Sequence, residues 1–160
     1  MVDKRKLVTE IRSKLNQELS VVLKSAKAAH EAATHEESRA EDSHDTRGLE
    51  ASYLAGAQAA RVAELRQLIL VYKFLPIFEL DPMDQIGLGA LIELEVFGKR
   101  SYYFLVHQGG GMCVQIDGKA VQLITPQSPL GAAIAGRRAG DCVEVEGREV
   151  VREYKIISIS

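Results

Sequence analysis

Between Lys4 and Glu36 the chain carries neither glycine nor proline, and this run limits the fold more than any other feature. Apolar or small residues recur there at Val8, Ile11, Leu15, Leu19, Val22, Ala26, Ala29 and Ala33. Steps of three and four put them on one face of a helix. Lys4, Arg12, Lys14, Glu18, Lys24 and Lys27 fill much of the remainder and keep that helix soluble. At ~1.5 Å per residue it runs to roughly 45 Å, more than a small domain needs, so it requires a partner along its length.

The partner is a second helical run from about Asp45 or Thr46 to Phe74, with Ser43, Asp45 or Thr46 as N-cap and Glu50 in an early turn. Its buried face is expected to use Leu54, Ala57, Leu65, Leu68, Tyr72 and Leu75. Both runs place alanine toward the intervening stretch and larger side chains away from it. That symmetry predicts an antiparallel coiled-coil hairpin over residues 1–76. Gly48 and Gly56 each cost ~1 kcal/mol relative to alanine inside a helix, so the far end should be its least stable part.

Glu36-Glu37-Ser38-Arg39-Ala40-Glu41-Asp42-Ser43-His44-Asp45 lies between the two runs. It has five carboxylates, one arginine, one histidine and nothing apolar larger than alanine, so it cannot build a core. On a hairpin the carboxylates stand at the far end of a stalk, where they can reach a partner. The alternative is a solvated turn, since charge runs commonly mark exposed segments.

Pro76 ends the second helix, and Phe78 to Asp84 reads as a connector. Alternating β-branched and aromatic residues then predict strands at Ala90–Phe97, Ser101–His107, Met112–Ile116, Ala120–Thr125, Cys142–Glu146 and Val150–Ile159. Phe97-Gly98-Lys99, Gln108-Gly109-Gly110-Gly111, Asp117-Gly118-Lys119 and Glu146-Gly147 signal turns. Ser128 to Gly136 has a serine N-cap, proline at the first helical position and glycine at the end, so one short helix packs on the sheet. Residues 77–160 therefore form a small α+β domain with an antiparallel sheet.

The net charge of −2 argues against free nucleic-acid binding, and no apolar run is long enough to span a bilayer. Met1 to Lys6 leads into charged helix instead of a secretory segment, so a cytoplasmic protein is expected. Cys113 and Cys142 have neither zinc-site nor redox-pair spacing and are expected to be buried thiols. His30, His35 and His44 form no recognised metal-ligand motif. Arg39 and Arg47 flank the acids, as contacts to a partner or as local neutralisation. Lys14, Lys24, Lys27 and Arg61 read mainly as solubilising charge.

Ser128-Pro129-Leu130-Gly131, Ala132-Ala133-Ile134-Ala135-Gly136 and Gly140-Asp141-Cys142-Val143-Glu144-Val145 resemble a signature of the Gre transcript-cleavage factors, which act on bacterial RNA polymerase. Glu153 to Ile159 is similar to that family's closing strand. The resemblance covers the whole chain in architecture, a coiled coil followed by an FKBP-like domain. It implies that the C-terminal domain docks on RNA polymerase, with Ser128, Pro129 and Gly131 as candidate contacts. Residues around Gly109-Gly110-Gly111 are further candidates.

The same resemblance implies that the coiled coil enters the secondary channel. There, carboxylates at its tip assist cleavage at the 3′ end of the nascent RNA. In this chain those carboxylates are Asp42 and Asp45, with Glu41 in reserve. Spacings of three and four put Asp42 or Glu41 on one face with Asp45 if the turn is helical. Such carboxylates suit Mg²⁺ shared with the polymerase active site, and are too few to hold the ion alone. Asp-Ser-His-Asp-Thr-Arg replaces the family's usual Glu-Asn-Ala-Glu-Tyr. An inhibitor or modulator that binds the channel without promoting cleavage is therefore the rival, and a polymerase-independent coiled-coil adaptor is a third reading. In each case the protein is an accessory factor, not an enzyme. Prolyl isomerisation, which an FKBP-like fold raises, is not expected from Phe97, Tyr102, Tyr103, Phe104 and Tyr154, several of which the sheet needs.

Overall fold

The computed structural model describes residues 2–34, 47–81, 83–147 and 150–160. It divides into two compact units, one of Arg12–Lys73 and one of Met1–Ile11 with Phe74–Ser160. No described helix is long and apolar enough to cross a membrane.

Helix α1 spans Lys4–Thr34 and α2 spans Arg47–Lys73. Asp3 caps α1, its Oδ1 accepting from the Arg5 and Lys6 amides at 2.8 and 3.3 Å. In the helical unit Leu15, Ala29, Val62, Leu65 and Tyr72 are buried. Arg61 of α2 donates to Glu18 of α1 through Nε at 3.2 Å and through Nη2, and to Glu64 through Nη1 at 3.1 Å. Glu18 and Arg61 stand about equally far from the connecting residues, as an antiparallel pair requires.

The inward stripe of α2 keeps Leu65, Leu68 and Tyr72 of the expected positions and departs from it toward the start of the helix. Leu54 and Ala57 are exposed, whereas Ala55, Gln58, Val62, Leu65, Ile69 and Tyr72 are buried or half-buried. Those six positions follow alternating steps of three and four, the spacing of a helix-pair seam. Leucine hydrophobicity misled at position 54. The seam's period selects the smaller Ala55.

In the other unit the six expected strands form as β1 (Leu91–Val96), β2 (Lys99–Leu105), β3 (Cys113–Ile116), β4 (Lys119–Ile124), β5 (Cys142–Glu146) and β6 (Val151–Ile159). Helix α3 (Pro129–Ile134) separates β4 from β5. The spatial order is β3-β4-β2-β1-β6-β5. Four pairings are antiparallel, but β2 and β4 are parallel, with Tyr102 opposite Val121 and Phe104 opposite Leu123. The sheet is therefore mixed where a wholly antiparallel one was expected. The glycine-rich segment after β2 carries the chain one place beyond its neighbour, and β4 returns between β2 and β3. A turn signal marks reversal without saying which strand ends up adjacent.

Alternation gives the sheet two buried faces. Ile92, Leu94, Leu105, Ile124, Val143, Tyr154 and Ile156 form one core with Ile134 of α3 and Ile86 of the connector. Leu91, Phe104, Val114, Val121 and Leu123 are buried on the opposite face. Cys113 and Cys142 are both exposed reduced thiols, not buried ones. They begin the two edge strands, and the alternation that buries Val114 and Val143 turns them outward.

Candidate partner-binding turn and acidic stretch

The turn leading into α3 is built around Thr125. Its carbonyl oxygen accepts from the Ser128 amide at 2.9 Å and the Ser128 hydroxyl at 2.7 Å. Ser128 Oγ in turn accepts from the Gly131 amide at 3.1 Å, which satisfies one of the donors that a helix start leaves open. Pro129 follows at the first helical position, where its missing N–H costs nothing. Gly131 is buried, and a Cβ on it would lie 2.0 Å from the Thr125 carbonyl oxygen.

Of the three contact candidates here, Ser128 and Gly131 thus hold the turn together, and Pro129 is exposed on its outer side. Leu130 is half-buried against the core and Ile134 is fully buried. The second candidate, Gly109-Gly110-Gly111, comes to the same place. A Cβ on Gly110 would lie 2.8 Å from Thr125 Cγ2, and the Gly111 amide donates to the Leu123 carbonyl at 2.8 Å. Two segments separated in sequence are therefore packed around one threonine. Arg137 and Arg138 stand exposed after α3, with Arg138 Nη1 donating to the Met83 carbonyl at 2.7 Å.

Glu41, Asp42 and Asp45 lie outside the described residues, as do His35, Glu36, Arg39 and His44. Among the described residues no group of three or more His, Cys, Asp or Glu side chains is placed to hold a metal ion. On the helices, Arg61 is engaged by Glu18 and Glu64, and those bonds raise its guanidinium pKa. Lys27 lies 3.8 Å from Glu31.

One polar group escaped the sequence reading. Val114, Val121, Tyr102, Glu93 and Ser158 face one another across five strands. On that rung Glu93 Oε1 accepts from the Tyr102 hydroxyl at 3.1 Å and Arg100 Nη1 at 3.4 Å, and Oε2 accepts from the Ser158 hydroxyl at 3.3 Å. The Lys119 ammonium sits 4.4 Å from the Tyr102 ring centroid, and hydrogen bonding to Tyr102 raises its pKa. Glu93, Tyr102, Lys119 and Ser158 border a cavity of about 250 Å³ with Val2, Leu91 and Ser160. A carboxylate held by three donors is suited to fixing strands, not to proton transfer. Glu93, one alternation step from the buried Leu91, was the legible signal, a charged position in the middle of a predicted strand. The aromatic residues do not converge on one pocket. Tyr102 and Phe104 share one face of β2, Tyr103 packs on the other with Tyr154, and Phe97 stands at a turn.

Residues 81–160 match the family model described as "Transcription elongation factor, GreA/GreB, C-term". The match covers half of the chain, which belongs to the GreA/GreB family. Transcription inhibitor protein Gfh1 of Thermus thermophilus is 30% identical over 121 residues, 74% of this chain and 73% of its own. Transcription elongation factor GreA of Clostridium kluyveri is 26% identical over 78 residues, 49% of this chain. That match spans 46% of the GreA relative, about half its length. Among solved structures, Gfh1 of Thermus thermophilus aligns over 93% of this chain and 94% of its own, at 23% identity and a TM-score of 0.38.

Proposed function

We propose that this protein is a cytoplasmic accessory factor of RNA polymerase. In this reading it docks through the sheet unit and places its helical hairpin in the secondary channel, beside the 3′ end of the nascent RNA. It is not itself an enzyme. The observation that carries the reading is the family match over residues 81–160 together with a Gfh1 alignment too long to be confined to that half. The exposed side of the Thr125–Gly131 turn, with Pro129 outward, supplies the docking surface, and Arg137 and Arg138 stand exposed after the other end of α3.

The working groups are the carboxylates of Asp42 and Asp45, with Glu41 in reserve. Ionised carboxylates are hard oxygen donors and suit Mg²⁺, which takes one or two of them along with water and phosphate oxygens. When bound there, that ion would lower the pKa of an attacking water and stabilise the leaving oxygen. What the chain's own residues do is present negative charge at the end of a stalk.

Two outputs follow from that arrangement. The first is slowed nucleotide addition, in which the carboxylates compete for the polymerase's own metal. It is favoured by the Gfh1 alignment, since that relative is a transcription inhibitor, and by Asp-Ser-His-Asp-Thr-Arg in place of the usual tip motif. The second is stimulated cleavage of backtracked transcripts, favoured by the acids that persist at Glu41, Asp42 and Asp45.

A backtracked elongation complex with labelled RNA, incubated with Mg²⁺ and this protein, separates them. Slower extension with no shortened RNA supports inhibition, and factor-dependent 3′ fragments support cleavage. In either case Asp42→Asn with Asp45→Asn should reduce the effect by at least about tenfold while polymerase affinity stays within about twofold. An undiminished effect would overturn the carboxylate assignment, and failure of the unaltered protein to bind core polymerase would overturn the whole reading.

A further inference from the structure

Two turns in the sheet unit share one backbone and differ in chemistry. The β3–β4 connection is Asp117-Gly118, with φ of 49° and 75°. The β1–β2 connection is Phe97-Gly98, with φ of 49° and 71°. Both are two-residue hairpin loops with left-handed torsions at each position, the geometry that matches strand twist and selects Asn-Gly or Asp-Gly. Asp117 obeys that selection and Phe97 defies it. A bulky residue at positive φ is an uncommon outlier, because its Cβ crowds the backbone.

Burial does not compensate for the strain. Phe97 is 77% exposed, the most exposed of the large apolar residues described. The position thus combines a strained backbone with a solvated aromatic ring, and neither serves the fold. Local rules broken without structural compensation are expected where a residue works for something other than stability. The surroundings narrow the choice. Lys99, next along the chain after Gly98, is exposed and makes no ion pair with a described residue, whereas Arg100 is held by Glu93 and Glu95 at 3.4 and 3.5 Å.

We propose that the β1–β2 turn is an aromatic anchor for RNA polymerase, with Phe97 entering an apolar pocket whose acidic rim meets Lys99. This rests on the polymerase reading above and adds a contact that the α3 turn does not supply. A nucleic-acid base is the poorer occupant, because stacking platforms for single strands lie in basic grooves, and here the arginine next to the turn, Arg100, is taken up by Glu93 and Glu95. A second copy of the chain is also poorer. A two-fold contact through the turn would bring the two Lys99 ammonium groups together. A buried aromatic ring at the centre of a contact, with a charge at the rim, is the usual composition of a binding hot spot.

The test exploits the broken turn rule. Phe97→Asn installs the residue that the backbone prefers while removing the ring. Full-length Phe97→Asn is expected to melt at or above the temperature of the unaltered protein and to bind core polymerase at least about tenfold more weakly. Phe97→Asp, which copies the Asp117-Gly118 turn, should do the same. Lys99→Glu should weaken binding less, by about threefold, and flatten its salt dependence. If the unaltered protein binds polymerase and Phe97→Asn binds equally well, the anchor is overturned and the polymerase reading stands. If the unaltered protein does not bind polymerase, both are overturned. Sedimentation in which the ring drives self-association, with polymerase binding unchanged on its removal, assigns the ring to a second copy and also overturns the proposal.

Discussion

Gly131 shows how one position can be fixed by geometry that leaves no room for choice. Alanine is the better helix former by ~1 kcal/mol, so substitution inside α3 should help if only propensity mattered. The added Cβ would stand 2.0 Å from a backbone carbonyl, which cannot swing aside as a long side chain can. Overpacking of that kind costs about 1–3 kcal/mol and outweighs the propensity gain. Gly131→Ala should therefore lower the urea midpoint of the sheet unit, with a net loss of about 1 kcal/mol. An unchanged midpoint would show that the Thr125–Ser128 turn relaxes at little cost. The serine, proline and glycine of this turn were legible in sequence as a helix start. Their convergence on Thr125 was not, because the threonine's carbonyl has no sequence signature.

The helices separate period from hydrophobicity. Leu54 is a larger apolar residue than Ala55, yet Leu54 is 52% exposed and the seam runs through Ala55, Gln58, Val62, Leu65, Ile69 and Tyr72. Leu65→Ala, at a fully buried position, should cost about 2–5 kcal/mol, and Leu54→Ala should stay within about 0.5 kcal/mol. Chemical denaturation of the two variants side by side checks the seam, and equal losses would reinstate the expected stripe. The Arg61–Glu18 contact adds little by comparison. Both side chains are about two-fifths exposed, and water screens such pairs to ~1 kcal/mol or less. In the sheet all six strands were legible from alternation, and their neighbours were not. Cys113 and Cys142 were misplaced for that reason, since a strand's outward parity depends on which face its partners cover.

Lys4 binds together parts of the chain that sequence keeps far apart. It opens α1, is 5% exposed, and donates from Nζ to the Phe78 carbonyl at 2.7 Å in the connector after α2. Burial lowers its pKa from 10.5, and Glu79 partly opposes that shift. Between the lowered value and 10.5 the unfolded chain holds a proton that folded Lys4 has shed, so this group makes stability rise with pH across that window. Burial raises the pKa of Tyr72 and Tyr103, which favours the fold less as pH climbs above 10. Those tyrosines act alike in a Lys4→Met variant and cancel in the comparison. The stability difference between the unaltered protein and Lys4→Met should therefore move in favour of lysine from neutral pH toward 10.5, measured by urea unfolding. A flat or falling difference would mean that the ammonium is better solvated than its burial indicates.

Local chemistry in the sequence was enough to set the two long helices, the six strands, the short helix with its cap and the α+β class. Periodicity, glycine and proline act over a few residues, and they are written in order along the chain. The parallel β2–β4 ladder, the seam through Ala55, the outward cysteines and the Glu93–Tyr102–Ser158 rung were decided by tertiary packing. Each depends on which surface meets which, and burial is a property of the pair of surfaces, not of either residue alone. Phe97 lies between the two kinds. Its turn was legible from Gly98, but its strain and exposure emerge only once the strands on either side fix its backbone.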